Sequence, residues 1–428
     1  MRKTIFFTLI VGALLVAAVG PVYGQPAAQE TTRLRMGLLP ILDVLPFYVA
    51  QEAGYFDEAN LEVELVPVSS ALERDQLLLA GEIDGMLNDL ISTGIFNQDK
   101  VRIQVVAQAR RAYPEAPQFR ILAAPGSEII SVADLAGVEI GISENSIIYY
   151  IAQRIMEDAG LTVDDMRFRP EPNIPVRFQL LMEGALQAAC LPDPLAQAAI
   201  ENGAILVADD TALIEQEFSQ SVLSFRTEVI EDSPEAVEAF LSVWMRAAAE
   251  VNAAPDDYRD LWIENTSVPE SVRDSYELPP FPLYAVPQAL AWNDTMAWLV
   301  DEDIIDSAPV YGSSVNADFM IRIAPIEEVG ALSGGDAENG AALFANNGCI
   351  GCHSVDQPVP MVGPSMMGLA LEVGSRVEDQ NALDYLHLAI VEPSNSVADG
   401  FSNGVMPPYD ALPESDVNDL IAYILTLK

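Results

Sequence analysis

Histidine is almost absent from this chain. Two occur, His353 and His387, and cysteine is limited to Cys190, Cys349 and Cys352. No histidine precedes His353, so histidine-based hydrolytic triads and zinc catalysis find no parts in the first three quarters of the molecule. Three cysteines are too few for a disulfide framework. Positive charge is scarce as well: 21 Lys and Arg stand against 64 Asp and Glu, a net charge of −43, which excludes nucleic acid as a partner. The acidic residues are spread along the chain, as on a solvated surface. Long apolar runs are also missing. The one candidate, residues 5–19, follows Arg2 and Lys3, is shorter than the ~20 residues a spanning helix needs, and leads into small, turn-prone residues up to Gly24. This layout predicts a secretory signal peptide over residues 1–24, cleaved near Gly24–Gln25, with the remainder exported to a periplasmic or other extracytoplasmic space; an uncleaved signal anchor is the alternative. No cysteine follows the run, so lipoprotein attachment there is excluded.

What is present is a regular alternation. From residue 34 to 225, short apolar runs alternate with segments of helical period, which predicts α/β units with mostly parallel strands. Gly54, Gly81 and Gly160 stand where helices should stop, and Ser131 where a short helix should start. Cys190 falls in an apolar strand and reads as a small core residue. A long helix is expected over 233–254, with Pro234 at its first position and Val237, Phe240, Leu241 and Trp244 on one face. Another is expected near 288–300. Residues 326–335, with Gly330, Ser333, Gly334 and Gly335, lose apolar periodicity and read as a linker. A second domain then runs over 336–428, where 13 acidic residues face Arg376 and Lys428.

The run Cys349-Ile350-Gly351-Cys352-His353 is C-x-x-C-H, the spacing that lets two thiols bond one porphyrin while the next residue ligates its iron, and it predicts one covalent haem c. A zinc site would need four ligands, and no second Cys/His pair lies within reach in sequence. A redox dithiol would follow a strand, whereas this motif follows a helical segment over 336–346. Met406, stiffened by Pro407 and Pro408, is the expected sixth ligand, with His387 as the alternative and Met361, Met366 and Met367 also in the domain.

Residues 335–428 resemble class I cytochromes c. The resemblance implies a first helix crossing a last one near Gly340, Phe344 and Tyr423, and a Gly363-Pro364 pair whose proline carbonyl accepts a hydrogen bond from His353. The last helix shows a clean apolar stripe at Val417, Leu420, Ile421, Ile424 and Leu425, after Ser415 as its expected cap.

The words Leu38-Leu39-Pro40, Leu45-Pro46-Phe47-Tyr48-Val49-Ala50, Gly54-Tyr55-Phe56-Asp57, Leu78-Leu79-Ala80-Gly81-Glu82-Ile83-Asp84 and Leu191-Pro192-Asp193-Pro194 resemble another family. These are the solute-binding proteins of ABC importers, of the NMT1/THI5-like type serving nitrate, sulfonates, taurine, thiamine precursors and riboflavin. The resemblance covers residues 34–319. It implies an α/β two-lobed periplasmic-binding-protein fold over 31–325, followed by the small all-α cytochrome c domain. Lobe 1 would comprise residues 31–123 and 222–324, and lobe 2 residues 124–221. It further implies a solute held in the cleft between the lobes and an importer membrane subunit as a partner. Strand ends and helix N-termini nominate Asp43 (within 41–45), Ser69, Ser70, Asn88, Asp89, Ser143, Glu144, Asn145 and Asp193 as solute contacts, with ordinary caps or turns as the plainer reading. Arg110 and Arg111 could pair with an anionic solute or neutralise the acidic surface.

Three whole-chain functions follow: a solute-binding protein fused to a single-electron carrier with a redox protein partner, an oxidoreductase acting on a bound redox-active solute, or a sensor or docking module. The first is preferred, because no catalytic constellation is visible beyond the haem and a doubly ligated iron has no open position. The acidic charge of the second domain predicts that association with a redox partner slows as salt rises, if pairing is electrostatic.

Overall fold

The structure is a computed structural model that describes residues 31–373 and 380–428; the leader expected at 1–24 and Arg376 lie outside them. Among the described residues, ten strands form two sheets of five. They are β1 (Thr32–Leu38), β2 (Leu61–Pro67), β3 (Gly85–Asn88), β4 (Ile103–Arg111), β5 (Phe119–Ala123), β6 (Glu139–Ile142), β7 (Arg167–Pro170), β8 (Ala188–Pro192), β9 (Ile205–Asp209) and β10 (Gln220–Arg226). The first sheet is ordered β2-β1-β3-β10-β4 and the second β7-β6-β8-β5-β9. The β1–β2 pair is parallel from Thr32↔Leu61 to Leu38↔Pro67, as a helical crossover requires.

Each sheet is mixed rather than mostly parallel. β10 runs antiparallel to β3 and β4, and β5 runs antiparallel to β8 and β9, because these strands enter a sheet directly from the other lobe. The lobe boundary shifts accordingly. β5, expected in lobe 1, buries Ile121 and Leu122 in the second sheet, and Gln220 and Ser221 belong to the first. The chain therefore crosses between lobes at 112–118 and 217–219; an apolar strand pattern fixes burial but not which sheet provides it.

Helices cover both sheets. Helix Pro234–Ala253 buries Phe240 and Trp244, and Trp244 meets Phe47 of helix Leu45–Glu52 edge-on at 4.7 Å. Ser233 precedes it without a capping side-chain bond. Trp298 of helix Ala289–Asp301 packs edge-on against Tyr149 and Tyr150 of helix Ile147–Asp158, which ties lobe 2 to lobe 1. Among the described residues, no helix is long and apolar enough to cross a membrane.

Residues 326–333, expected as part of a loose linker, are helical and packed. Ile326–Val329 forms one turn and Gly330–Ser333 the next, with Val329 and Leu332 fully buried. The glycines mark close approach instead of slack: a Cβ on Gly330 would meet the Ala422 carbonyl at 3.3 Å, and the Ser333 hydroxyl donates to the Asn418 carbonyl at 2.9 Å. The C-terminal helical domain is seated on lobe 1 by further bonds. Asn381 Nδ2 donates to the Val315 carbonyl at 2.9 Å while Asn381 Oδ1 accepts from Asp384 N, capping helix Ala382–Val391. The Ala382 amide donates to Asp318 Oδ1, whose pKa burial pushes up. Lys428 Nζ donates to the carbonyl of Ile321 at 2.8 Å, and also to that of Ala324, at the end of helix Asp318–Ile323. Its pKa is lowered by burial.

Because Asn381 serves both a cap and the domain interface, Asn381→Ala should lower unfolding stability by about 1–2 kcal/mol. Denaturant titration of the full chain measures this, and a midpoint equal to wild type would show that the interface does not depend on that side chain.

Candidate functional site

Two cavities hold most of the residues that carry chemistry. The larger lies in the C-terminal domain. Helix Ala337–Asn346 starts at Asp336, whose carboxylate accepts from the amides of Glu338 and Asn339, and ends at Gly348 with φ +79°, a conformation that suits glycine. The turn Cys349–Gly351 follows and delivers both thiols and His353 to one wall. Burial pushes the Cys349 thiol up, and Tyr409 beside it pulls back part of that shift.

His353 is 8% exposed, and its Nδ1 lies 2.8 Å from the Pro364 carbonyl. A carbonyl only accepts, so the proton sits on Nδ1 and the lone pair is left on Nε2, the state a metal ligand needs. Gly363 makes room for the ring: a Cβ there would stand 2.4 Å from His353 Cε1. The remaining walls come from Leu386 and Ile390 of helix Ala382–Val391, Leu420 and Ile424 of helix Glu414–Leu425, and the segment bearing Met406. The space enclosed, open mouth included, is about 1200 Å³.

Helix Ala337–Asn346 and helix Glu414–Leu425 cross at Gly340, where a Cβ would fall 1.8 Å from the Asp419 carbonyl oxygen. Phe344 and Tyr423 meet edge-on at 5.4 Å beside this crossing. Pro413, not Ser415, occupies the cap position of the last helix. Met366 also lines the crevice, whereas Met361 and Met367 do not. His387 is turned away, its Nε2 3.1 Å from Glu414 Oε1, and takes no part in the lining. Among the described residues, no group of three His, Cys, Asp or Glu side chains could hold a metal ion, so the zinc alternative lacks its ligands. Two thiols on one wall, an imidazole with its rear nitrogen held, a thioether and a mostly apolar interior fit a c-type haem.

The second cavity, about 520 Å³ including its mouth, lies between the lobes. Lobe 1 contributes Leu39, Ile41, Asp43, Arg74, Asn88, Asp89 and Ser221; lobe 2 contributes Gln118, Phe119, Ser143, Ile147, Ile148 and Ile174. Four of the expected solute contacts, Asp43, Asn88, Asp89 and Ser143, are thus on the lining. The others are not. Ser70 Oγ caps helix Ala71–Leu79, and the exposed Ser69 gives its amide to Glu73 Oε2. Glu144 and Asn145 point to solvent on a turn in which Asn145 has φ +53°. Asp193 is buried off the lining, paired with Arg120 at 2.6 Å and accepting from Tyr276 Oη at 3.3 Å.

Arg110 is buried against Asp43 through Nη1 at 3.0 Å, its Nε and Nη2 without partners, and Arg111 pairs with Glu217; neither is on the lining of this cavity. The sequence reading missed Arg74 and Gln118. Arg74 lies mid-helix, one turn past the Ser70 cap, where a charged residue ordinarily faces water, and only tertiary packing turns it inward. Asp89 caps helix Leu90–Asn97 through Ser92 N at 2.8 Å; burial pushes its pKa up, and Arg74 and the Ser92 amide hold it back.

Residues 42–258 match the family model described as NMT1/THI5 like, and residues 337–428 match the cytochrome c model. The chain belongs to the NMT1/THI5-like family. It is similar to riboflavin-binding protein RibY of Chloroflexus aurantiacus, 24% identical over 253 residues, which covers 56% of this chain and 67% of that protein. The fold is shared with the ligand-binding component of an ABC-type import system from Staphylococcus aureus, solved with zinc bound (TM-score 0.59, 13% identity, 68% of this chain and 99% of that one). It is also shared with the alkanesulfonate-binding protein SsuA from Xanthomonas axonopodis pv. citri bound to MOPS (TM-score 0.56, 18% identity, 65% and 96%). The region holding the two sheets therefore has the periplasmic-binding-protein fold, and the NMT1/THI5-like region is fused to a cytochrome c domain, which implies a c-type haem.

Gly340→Ala tests the crossing that shapes the crevice. The added methyl must push the helix backbones apart and should cost about 1–3 kcal/mol, read by denaturant unfolding of the haem-loaded chain. A cost-free substitution would mean that the helices are not in contact there.

Proposed function

We propose that this chain is an exported solute-binding protein that carries one covalent haem c for single-electron transfer. The observation that carries the reading is the placement of His353 and Met406 on one apolar crevice with Cys349 and Cys352 on its wall. Cys349 and Cys352 would hold the porphyrin, and His353 and Met406 the iron; the group supplies reversible one-electron chemistry, and thioether ligation favours a high potential. If His353 and Met406 both hold the iron, the protein would leave a substrate no ligand position on it, which would favour a carrier over a catalyst. Pro364 keeps the His353 ring oriented, and the apolar walls exclude water.

The cleft between the lobes is the solute site, and Asp43, Asn88, Asp89 and Ser143 are among its contacts. Relatives named for riboflavin and alkanesulfonate binding support a small-molecule solute. An ABC importer membrane subunit is the expected receiver, in a periplasmic or equivalent compartment; the Escherichia coli neighbour SsuA is described as periplasmic.

A redox protein partner would dock at the crevice mouth. Ile350, Val362, Val397 and Val405 are exposed there, and residues 348–368 and 393–408 contain only Asp356 and Asp399 as charged groups apart from His353. The contact is therefore apolar at its centre, and the domain's acidic residues act from outside it, steering a basic partner at low salt.

Met406→Ala should shift the optical spectrum of the haem-loaded protein and let added imidazole bind the iron. An unchanged spectrum that ignores imidazole would mean that another side chain, with Met366 the first suspect, fills the position.

A further inference from the structure

We propose that the inter-lobe cleft selects an uncharged solute with apolar faces and a carbonyl- and N–H-bearing edge, and rejects small anions such as sulfonates and nitrate. The inference rests on the reading of the cleft as the solute site and deepens it.

Among the described residues, Arg74 is the one cation on the lining, and Asp43 and Asp89 stand there against it. Arg74 is buried, with Nε on Asp75 Oδ1 at 2.8 Å and Nη1 on the Leu87 carbonyl at 3.1 Å. The next guanidinium, Arg110, is committed to Asp43. Both arginines are therefore already neutralised by a carboxylate of the chain. A further anion would be desolvated without finding a free counter-charge.

The helix N-termini are occupied in the same way. An anionic solute in this fold would seek the free amides where helices Leu90–Asn97 and Ile147–Asp158 begin. Asp89 takes both: Oδ1 accepts from Ser92 N at 2.8 Å in lobe 1, and Oδ2 lies 3.4 Å from Ile147 N in lobe 2. Ser146 Oγ accepts from Ile148 N at 3.3 Å. The chain supplies its own anion at the point where the two lobes meet.

What is left unpaired describes the solute. Arg74 Nη2, a donor, and Gln118 Oε1, an acceptor, are buried without partners on the lining, while Gln118 Nε2 is engaged 3.3 Å from Asp43 Oδ2. Arg74 is 1% exposed and Gln118 2%. Orphaned buried polar atoms in a ligand cleft are expected to be completed by the ligand. A neutral carbonyl satisfies the donor, and an N–H satisfies the acceptor. Leu39, Ile41, Phe119, Ile147, Ile148 and Ile174 supply apolar walls for the faces of such a molecule.

The test is calorimetric titration of the full haem-loaded chain with riboflavin, uracil and nicotinamide as neutral probes and with ethanesulfonate and nitrate as anions. The expected result is binding of a neutral probe and none of the anions. Gln118→Ala should weaken that neutral probe by about tenfold, since it removes a buried acceptor. Asp89→Asn keeps a capping oxygen but deletes the internal anion, so it should gain measurable ethanesulfonate binding. Wild-type protein that binds an anion more tightly than every neutral probe would overturn the inference and leave the solute site standing. If no probe binds and native mass spectrometry finds no co-purified small molecule, the reading of the cleft as a solute site falls instead.

Discussion

The C-terminal domain depends on one backbone crossing. At Gly340 the helix that leads into the C-x-x-C-H turn lies so close to the last helix that no side-chain carbon fits between them. That approach sets the position of the first helix, hence of Gly348, of the turn that follows, and of Cys349, Cys352 and His353. The opposite walls come from the same last helix through Leu420 and Ile424, so a single contact fixes both the motif and the surface that faces it. Gly363 repeats the device on a smaller scale, where a missing side chain lets the His353 ring lie against the backbone and reach the Pro364 carbonyl.

The same economy of space joins the two halves of the molecule. Gly330 and Ser333 bring the connecting turns against Ala422 and Asn418, while Asn381 and Lys428 hold carbonyls of lobe 1. The cytochrome domain is thus fixed to the lobe that also carries Arg74, Asn88 and Asp89. In the cleft the governing feature is internal neutralisation. Arginines that could have held an anion are matched by carboxylates of the chain, and the polar atoms left over ask for a neutral edge.

Much of this is legible in the sequence where chemistry is local. Cys349, Cys352 and His353 declare themselves by spacing, Asp336 and Ser131 by capping, and the last helix by its apolar stripe, because each depends on neighbours within one or two turns. The preference for Met406 over His387 also comes from local stiffness, and the structure turns His387 toward Glu414. Long-range facts are not legible. β5 and β10 look like any buried strands until the crossings between lobes are known, so the boundary read from sequence falls several residues off. Residues 326–333 look like a linker because glycine signals slack in sequence and close packing in space. Ser69, Ser70, Glu144 and Asn145 sit at the element ends where solute contacts are sought, yet they serve caps and turns. Arg74 and Gln118 carry no signal, since a buried arginine and an orphaned amide are products of tertiary packing.

The central claim is that the C-terminal crevice holds a porphyrin through two thioether bonds. Its most direct test is the intact mass of the chain after expression with haem-attachment machinery and full denaturation. The account predicts the polypeptide mass plus one haem, reverting to the bare polypeptide when Cys349 and Cys352 are both replaced by serine. A colourless wild-type protein that keeps its haem-free mass under those conditions would contradict it.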